Sequence, residues 1–161
     1  MTGFAAFTTL LPQLQREWGL TNSQAGAVSG VFFAGYMLSV PVLSSLTDRI
    51  DTRKVYALAC LVSFAGAGGF GLYASGFWSA MLFQFLIGAA LGGTYMPGLK
   101  ALTDQLEGPV QSRATAFYTA GFGVGSSISI ISCGQIAAHA SWGYAFLFGA
   151  VGPVVAGLMM L

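Results

Sequence analysis

Formal charge is what this chain has least of. Its 161 residues include five Asp and Glu and six Lys and Arg, 7% of the total, with a net charge of +1. Soluble domains carry about 25% charged residues, so a water-soluble globule is excluded, and the near-zero net charge offers nothing to nucleic acid or another polyanion. Histidine is nearly absent too, His139 being the single one. The two cysteines, Cys60 and Cys133, lie in separate apolar runs expected near opposite membrane faces. A disulfide needs their α-carbons within about 7 Å, so both read as packing residues. Without a Cys/His cluster, a phosphate loop or paired carboxylates, the sequence predicts no metal, no cofactor and no catalytic group. A basic n-region with a small-residue cleavage site is also missing, which leaves no visible signal peptide.

What is present is apolar: 55% hydrophobic residues, 14% aromatic ones and 23 glycines. Glycine is more frequent in membrane-spanning helices than in soluble ones, and a span needs about 20 mostly apolar residues. The runs predict an all-α membrane protein of six helices over about 1–14, 24–46, 55–74, 79–101, 114–138 and 143–161, one transmembrane bundle across 1–161. The first run is too short to span, and the polar segment 13–19 is expected to leave the membrane. Thr21 and Gln24 have the spacing of a capping box that opens the second helix. A turn is expected at 75–78, a polar loop broken by Gly108-Pro109 at 102–112, and another turn at 139–143.

Charge placement sets the expected orientation. Arg49, Arg53, Lys54, Lys100 and Arg113 fall on one side and Arg16 alone on the other, which puts the loops holding the five inside the cytoplasm. Trp18, Trp78 and Trp142 then form an outer interfacial belt.

The chain also resembles itself. Pro12 and Leu14 match Pro97 and Leu99; Ala34 and Gly35 match Ala120 and Gly121, with aromatic Tyr36 against Phe122; Tyr56 and Ala57 match Tyr144 and Ala145. Offsets of 85 to 88, in constant order, describe two three-helix units. Three is odd, so the copies insert in opposite directions, as the inverted repeats of secondary transporters do. Measured against the fourth helix, the first lacks about two turns. The chain therefore reads as an N-terminal half whose C-terminal half is missing.

Five of the eleven charges crowd into residues 48–54, between two long uncharged runs. This stretch is similar to the G-x-L-a-D-R-x-G-r-[RK] loop of the major facilitator superfamily, with Leu46, Asp48, Arg49, Arg53 and Lys54 matching. Ser44 replaces the first glycine and stays small. Asp51 replaces the second and is expected to hold a left-handed turn. Gln84-Phe-Leu-Ile-Gly88-Ala-Ala-Leu-Gly92 resembles the family's fourth-helix pattern, with Gln84 where that pattern has arginine. Asp104 and Arg113 are similar to the charges flanking its 4–5 loop. Gly121 and Gly125 echo its glycine-rich fifth helix, with Ser129-Ile130 where Gly-Pro is expected, and 141–148 is like the start of its sixth helix.

The resemblance implies alternating access by two bundles around a midplane site, with a small-molecule substrate, the lipid bilayer and a coupling proton or ion as partners, and no reaction catalysed. Gln84 and Tyr95 fall on one face of the fourth helix with Gly88 and Leu99 and are the expected cavity-facing pair. Lys100, near the end of that helix, either snorkels to the interface or faces the cavity, and Thr8 and Thr9 join the cavity candidates through the match of Thr9 to Thr94. Asp48, Arg49, Arg53, Lys54, Asp104 and Arg113 form the expected gating loop, with Asp48, Arg53, Asp104 and Arg113 as a closing charge cluster. Gly88, Gly92, Gly121 and Gly125 are expected helix-packing positions. Two other readings compete. A six-helix intramembrane Ser–His hydrolase would use Ser126 and His139, which lie about 20 Å apart along a helix. A channel or scaffold half would need charge rings or a filter-like loop, which the sequence lacks.

Overall fold

The computed structural model describes residues 6–160. Six helices follow one another: α1 Ala6–Trp18, α2 Asn22–Leu46, α3 Thr52–Tyr73, α4 Phe77–Thr103, α5 Gly108–His139 and α6 Trp142–Met160. No strand occurs among the described residues. Helices α2 to α6 are each long and apolar enough to cross a membrane, so the chain is an integral, multi-pass membrane protein. Residues 1–5 and 161, expected in the first and last helices, lie outside the described residues. Trp18, Trp78 and Trp142 mark one end of the bundle, the tryptophan end. Arg49, Arg53, Lys54 and Lys100 mark the other, the basic end.

Local chemistry fixes the helix ends. The capping box forms as expected: the Gln24 amide N–H donates to Thr21 Oγ1 at 3.2 Å, and the Gln24 side chain accepts from the Thr21 N–H at 2.9 Å. Three boundaries differ from the expectation. The first helix, expected to end near 14, continues to Trp18 and stops at Gly19, whose φ of 62° only glycine adopts without strain. Asp51 does not hold a left-handed turn, since its φ is −49°. Its carboxylate accepts from the Arg53 N–H at 2.9 Å, and as N-cap it starts α3 at Thr52, drawing Arg53 and Lys54 into the first helical turn. Finally, the loop expected at 102–112 shrinks to 104–107. Gly108-Pro109 opens α5 instead of breaking the chain, because a proline in the first turn lacks only an N–H that has no helical partner there.

Part of the packing follows an exchange symmetry. Helix α4 lies against α2, α1 against α5, and α3 against α6. Swapping the first three helices for the last three leaves these three pairings unchanged, as in two inverted repeats, whereas the close α3–α4 packing has only a sparse counterpart between α6 and α1. The α2–α4 seam is the closest approach. A methyl group on Gly88 would run into the Phe32 carbonyl, one on Gly35 into the Phe85 carbonyl, and one on Gly92 into the Ser39 hydroxyl. Glycine lets two helix backbones touch where lipid supplies no hydrophobic drive for association.

A second anchor lies at the tryptophan end. Phe70 of α3 stacks on Phe146 of α6 with ring centroids 4.0 Å apart, and Phe7 and Trp142 meet it edge-on at 6.1 and 6.2 Å. Trp142 also donates its indole N–H to Glu17 at 2.8 Å, tying α6 to the end of α1. Cys133 is buried in this cluster and Cys60 lies in α3; both are free thiols.

Candidate functional site

Drawing α2 onto α4 leaves α5 standing off, and a crevice of about 320 Å³ opens between the three helices. Its walls are Phe32, Phe33 and Tyr36 from α2, Leu91 and Tyr95 from α4, and Phe122 from α5. Tyr95 meets Phe122 edge-on at 5.5 Å. Behind Phe32, Leu91 and Phe122 the space continues into an inner chamber of about 360 Å³ that reaches Tyr56, Cys60, Thr94 and Tyr118. Toward the tryptophan end a pocket of about 40 Å³ is bounded by Thr8 of α1, Ser29 of α2 and Gln84 of α4, again sharing Phe32 and Phe33. None of the three linings contains Asp, Glu, Lys or Arg. Such a surface stacks a flat ring and offers hydroxyl and amide hydrogen bonds, but cannot neutralise an ion.

Gln84 and Tyr95 both face this system from α4, Gln84 in the small pocket and Tyr95 in the crevice. Gly88 and Gly92, between them, are spent on the α2 seam. Thr8 shares the pocket with Gln84, whereas Thr9 turns toward α5, where its methyl lies 3.6 Å from the Cβ position of Gly134. Lys100 does not line the crevice. Its ammonium donates to Asp48 at 2.6 Å and to the Thr47 hydroxyl at 3.4 Å. It thereby spans α4 and the C-terminal end of α2, where the helix dipole favours a cation.

The four-charge cluster expected at the basic end is arranged differently. Among the described residues Asp48 pairs with Lys100, not with Arg53 or Arg113. The reason is geometric: α2 and α4 are packed neighbours, while Arg113 sits on α5, which stands away from α2. Arg49, Arg53, Lys54, Asp104 and Arg113 are all exposed, and Asp104 caps the end of α4. Gly121 also departs from its expected packing role, since a methyl there would meet nothing within 4 Å, and the residue lines the inner chamber. Gly125 is half-buried. Ser126 and His139 each bond the carbonyl four residues back in α5, at 2.8 and 2.9 Å, and do not meet. Among the described residues no three His, Cys, Asp or Glu side chains gather as a metal site would need.

Sequence reasoning missed the aromatic wall and Tyr118, whose hydroxyl donates to the Tyr95 carbonyl at 3.0 Å and joins α5 to α4. The signal for the wall was present. Tyr36 and Phe122 are repeat partners at an offset of 86, and the two helices they belong to flank α4.

The sequence matches the profile of the Major Facilitator Superfamily over residues 1–161. It is 24% identical to the niacin transporter NiaP of Acinetobacter baylyi over 92% of this chain and 33% of that protein. It is also 24% identical to the 4-hydroxybenzoate transporter PcaK of the same organism, over 98% of this chain and 34% of the relative. A probable 4-methylmuconolactone transporter of Cupriavidus pinatubonensis is 22% identical over 92% of the chain and 36% of its own length. The chain thus spans about a third of the length of these curated relatives.

Proposed function

Because this chain belongs to the major facilitator superfamily, whose relatives here are transporters and not enzymes, we propose that it forms the first six-helix half of a carrier for a small monocyclic acid. The observation that carries this reading is the aromatic crevice between α2, α4 and α5. Its volume and lining suit one ring laid against Tyr36, Tyr95 and Phe122. The molecules named for the three relatives, niacin, 4-hydroxybenzoate and 4-methylmuconolactone, are each a small ring bearing a carboxyl group.

The carrier works by alternating access, this bundle rocking against a second one. The basic end faces the cytoplasm, as the five-to-one distribution of Lys and Arg favours. There the Asp48–Lys100 pair, ringed by Arg49, Arg53, Lys54, Asp104 and Arg113, closes the inner side in one of the two states. The crevice lining holds no carboxylate, so a coupling proton or ion is bound by other groups.

The test is uptake by the full-length carrier in liposomes under an imposed proton gradient. Labelled nicotinate or 4-hydroxybenzoate accumulates saturably, and Tyr95→Ala together with Phe122→Ala reduces uptake at least about tenfold, because a base-to-aromatic-sized stacking contact is lost twice. Uptake of neither compound, or uptake indifferent to both substitutions, rejects the reading.

A further inference from the structure

Gln84 is the one residue of α4 whose surroundings and chemistry disagree. It sits in a helix with no formal charge between Phe77 and Leu99, and it is only 4% exposed. Its amide has no hydrogen bond to another described residue. No fully sealed side-chain polar atom among the described residues is left without a partner, so the amide meets the open volume of its pocket. The other polar groups there are complementary. Ser29 donates its hydroxyl proton to the Ala25 carbonyl at 3.1 Å, which leaves its oxygen free to accept, and Thr8 adds a second hydroxyl. The pocket of about 40 Å³ is close to the room one water occupies in the liquid. It is too small for a ring and adjoins the crevice that fits one.

The absence of charge decides what can enter. With no cation in either lining, a carboxylate buried there would lie unpaired, at prohibitive cost. An uncharged donor or acceptor would instead satisfy an amide otherwise left to water. We infer that this half of the carrier reads the neutral end of its substrate: Gln84, with Ser29 and Thr8, receives a single uncharged hydrogen-bonding substituent on the ring, such as a phenolic hydroxyl. The carboxylate points out of the crevice, away from α4. This rests on the monocyclic-acid reading and adds to it which end this chain recognises and which residue sets the preference.

The probes are 4-hydroxybenzoate and benzoate, which differ only in the hydroxyl, titrated calorimetrically into the purified full-length carrier. The unmodified protein is expected to bind 4-hydroxybenzoate about tenfold or more tightly than benzoate, since a site built to hydrogen-bond a hydroxyl discriminates against the analogue lacking it. Gln84→Met, similar in volume and apolar, brings the two within about twofold by weakening 4-hydroxybenzoate more than benzoate. Ser29→Ala, at the edge of the pocket, lowers the preference by a smaller factor and serves if the first variant does not fold. A preference that survives both substitutions, or no preference in the unmodified protein, overturns the inference while the ring-acid reading stands. Failure of both probes and of nicotinate to bind defeats that reading, and the inference with it.

Discussion

Helix α4 has two unlike sides. Toward α2 it is sealed, backbone against backbone, through Gly35, Gly88 and Gly92. Toward α5 it is open, crossed at the Tyr118–Tyr95 hydrogen bond and the ring contacts of Tyr95 with Tyr118 and Phe122. The contrast is sharpest in one pair of repeat partners. Gly35 and Gly121 occupy equivalent places in the two units, 86 residues apart. A methyl on the first would strike the Phe85 carbonyl, while one on the second would meet nothing within 4 Å. One small-residue position does two jobs: on α2 it closes a seam, on α5 it leaves a chamber. The closely packed part of the bundle is therefore α2 with α3 and α4, and α5 lies loosely against α4.

The largest effect should come from adding a single methyl to each member of that pair. Gly35→Ala forces the seam apart and is expected to cost about 1–3 kcal/mol, the usual range for overpacking. Gly121→Ala exchanges glycine for a better helix former in open space and should change stability by no more than about 1 kcal/mol, in the stabilising direction. Thermal unfolding in detergent, variant against parent, checks both. If Gly121→Ala is as costly as Gly35→Ala, the α5 face is as tightly packed in the membrane as the α2 face, and the contrast collapses.

A smaller effect tests the polar link at the middle of the open side, the Tyr118–Tyr95 hydrogen bond. Tyr118→Phe removes the hydroxyl that reaches the Tyr95 carbonyl and keeps the ring, which stands 5.4 Å from that of Tyr95. Loss of one such bond is worth about 1 kcal/mol. Amide exchange in α5 near Tyr118 should speed up while that of α2 stays unchanged. Equal acceleration in both helices would mean that the two sides of α4 are coupled, not distinct.

Why the sequence disclosed some of this and not the rest has a physical answer. Apolar run length and the capping chemistry of Thr21 and Gln24 are local, so helix number, type and the start of α2 could be read directly. Asp51 and Pro109 were misjudged because their residue types suit both a turn and a helix N-terminus. Only the continuation of the flanking helix decides between those two uses. Gln84 stood out because a lone amide in an uncharged helix is conspicuous. The aromatic wall did not, since Phe33, Tyr36 and Phe122 look like lipid-facing residues until α5 is seen to stand away from α4. The partner of Asp48 was hidden for a related reason. Lys100 is 52 residues away, and only the α2–α4 seam brings them together.

That pair gives the smallest stability effect and the most direct test of whether the seam side of α4 takes part in gating. Its two side chains are 37% and 69% exposed, so despite the 2.6 Å contact solvent screening keeps it weak. Weakness suits a latch: a contact made and broken in every cycle must not hold either state by much more than thermal energy. Lys100→Met is accordingly expected to leave thermal stability nearly unchanged yet to lower uptake by the full-length carrier and to raise labelling of a cysteine placed at the basic end of the crevice. Exchanging the two charges, Asp48→Lys with Lys100→Asp, should recover part of the uptake because the pair re-forms. The carboxylate that Lys100→Asp places in the last turn of α4 meets the negative end of that helix dipole, so recovery stays incomplete. Uptake and labelling that ignore Lys100→Met would leave the pair a surface contact with no part in gating.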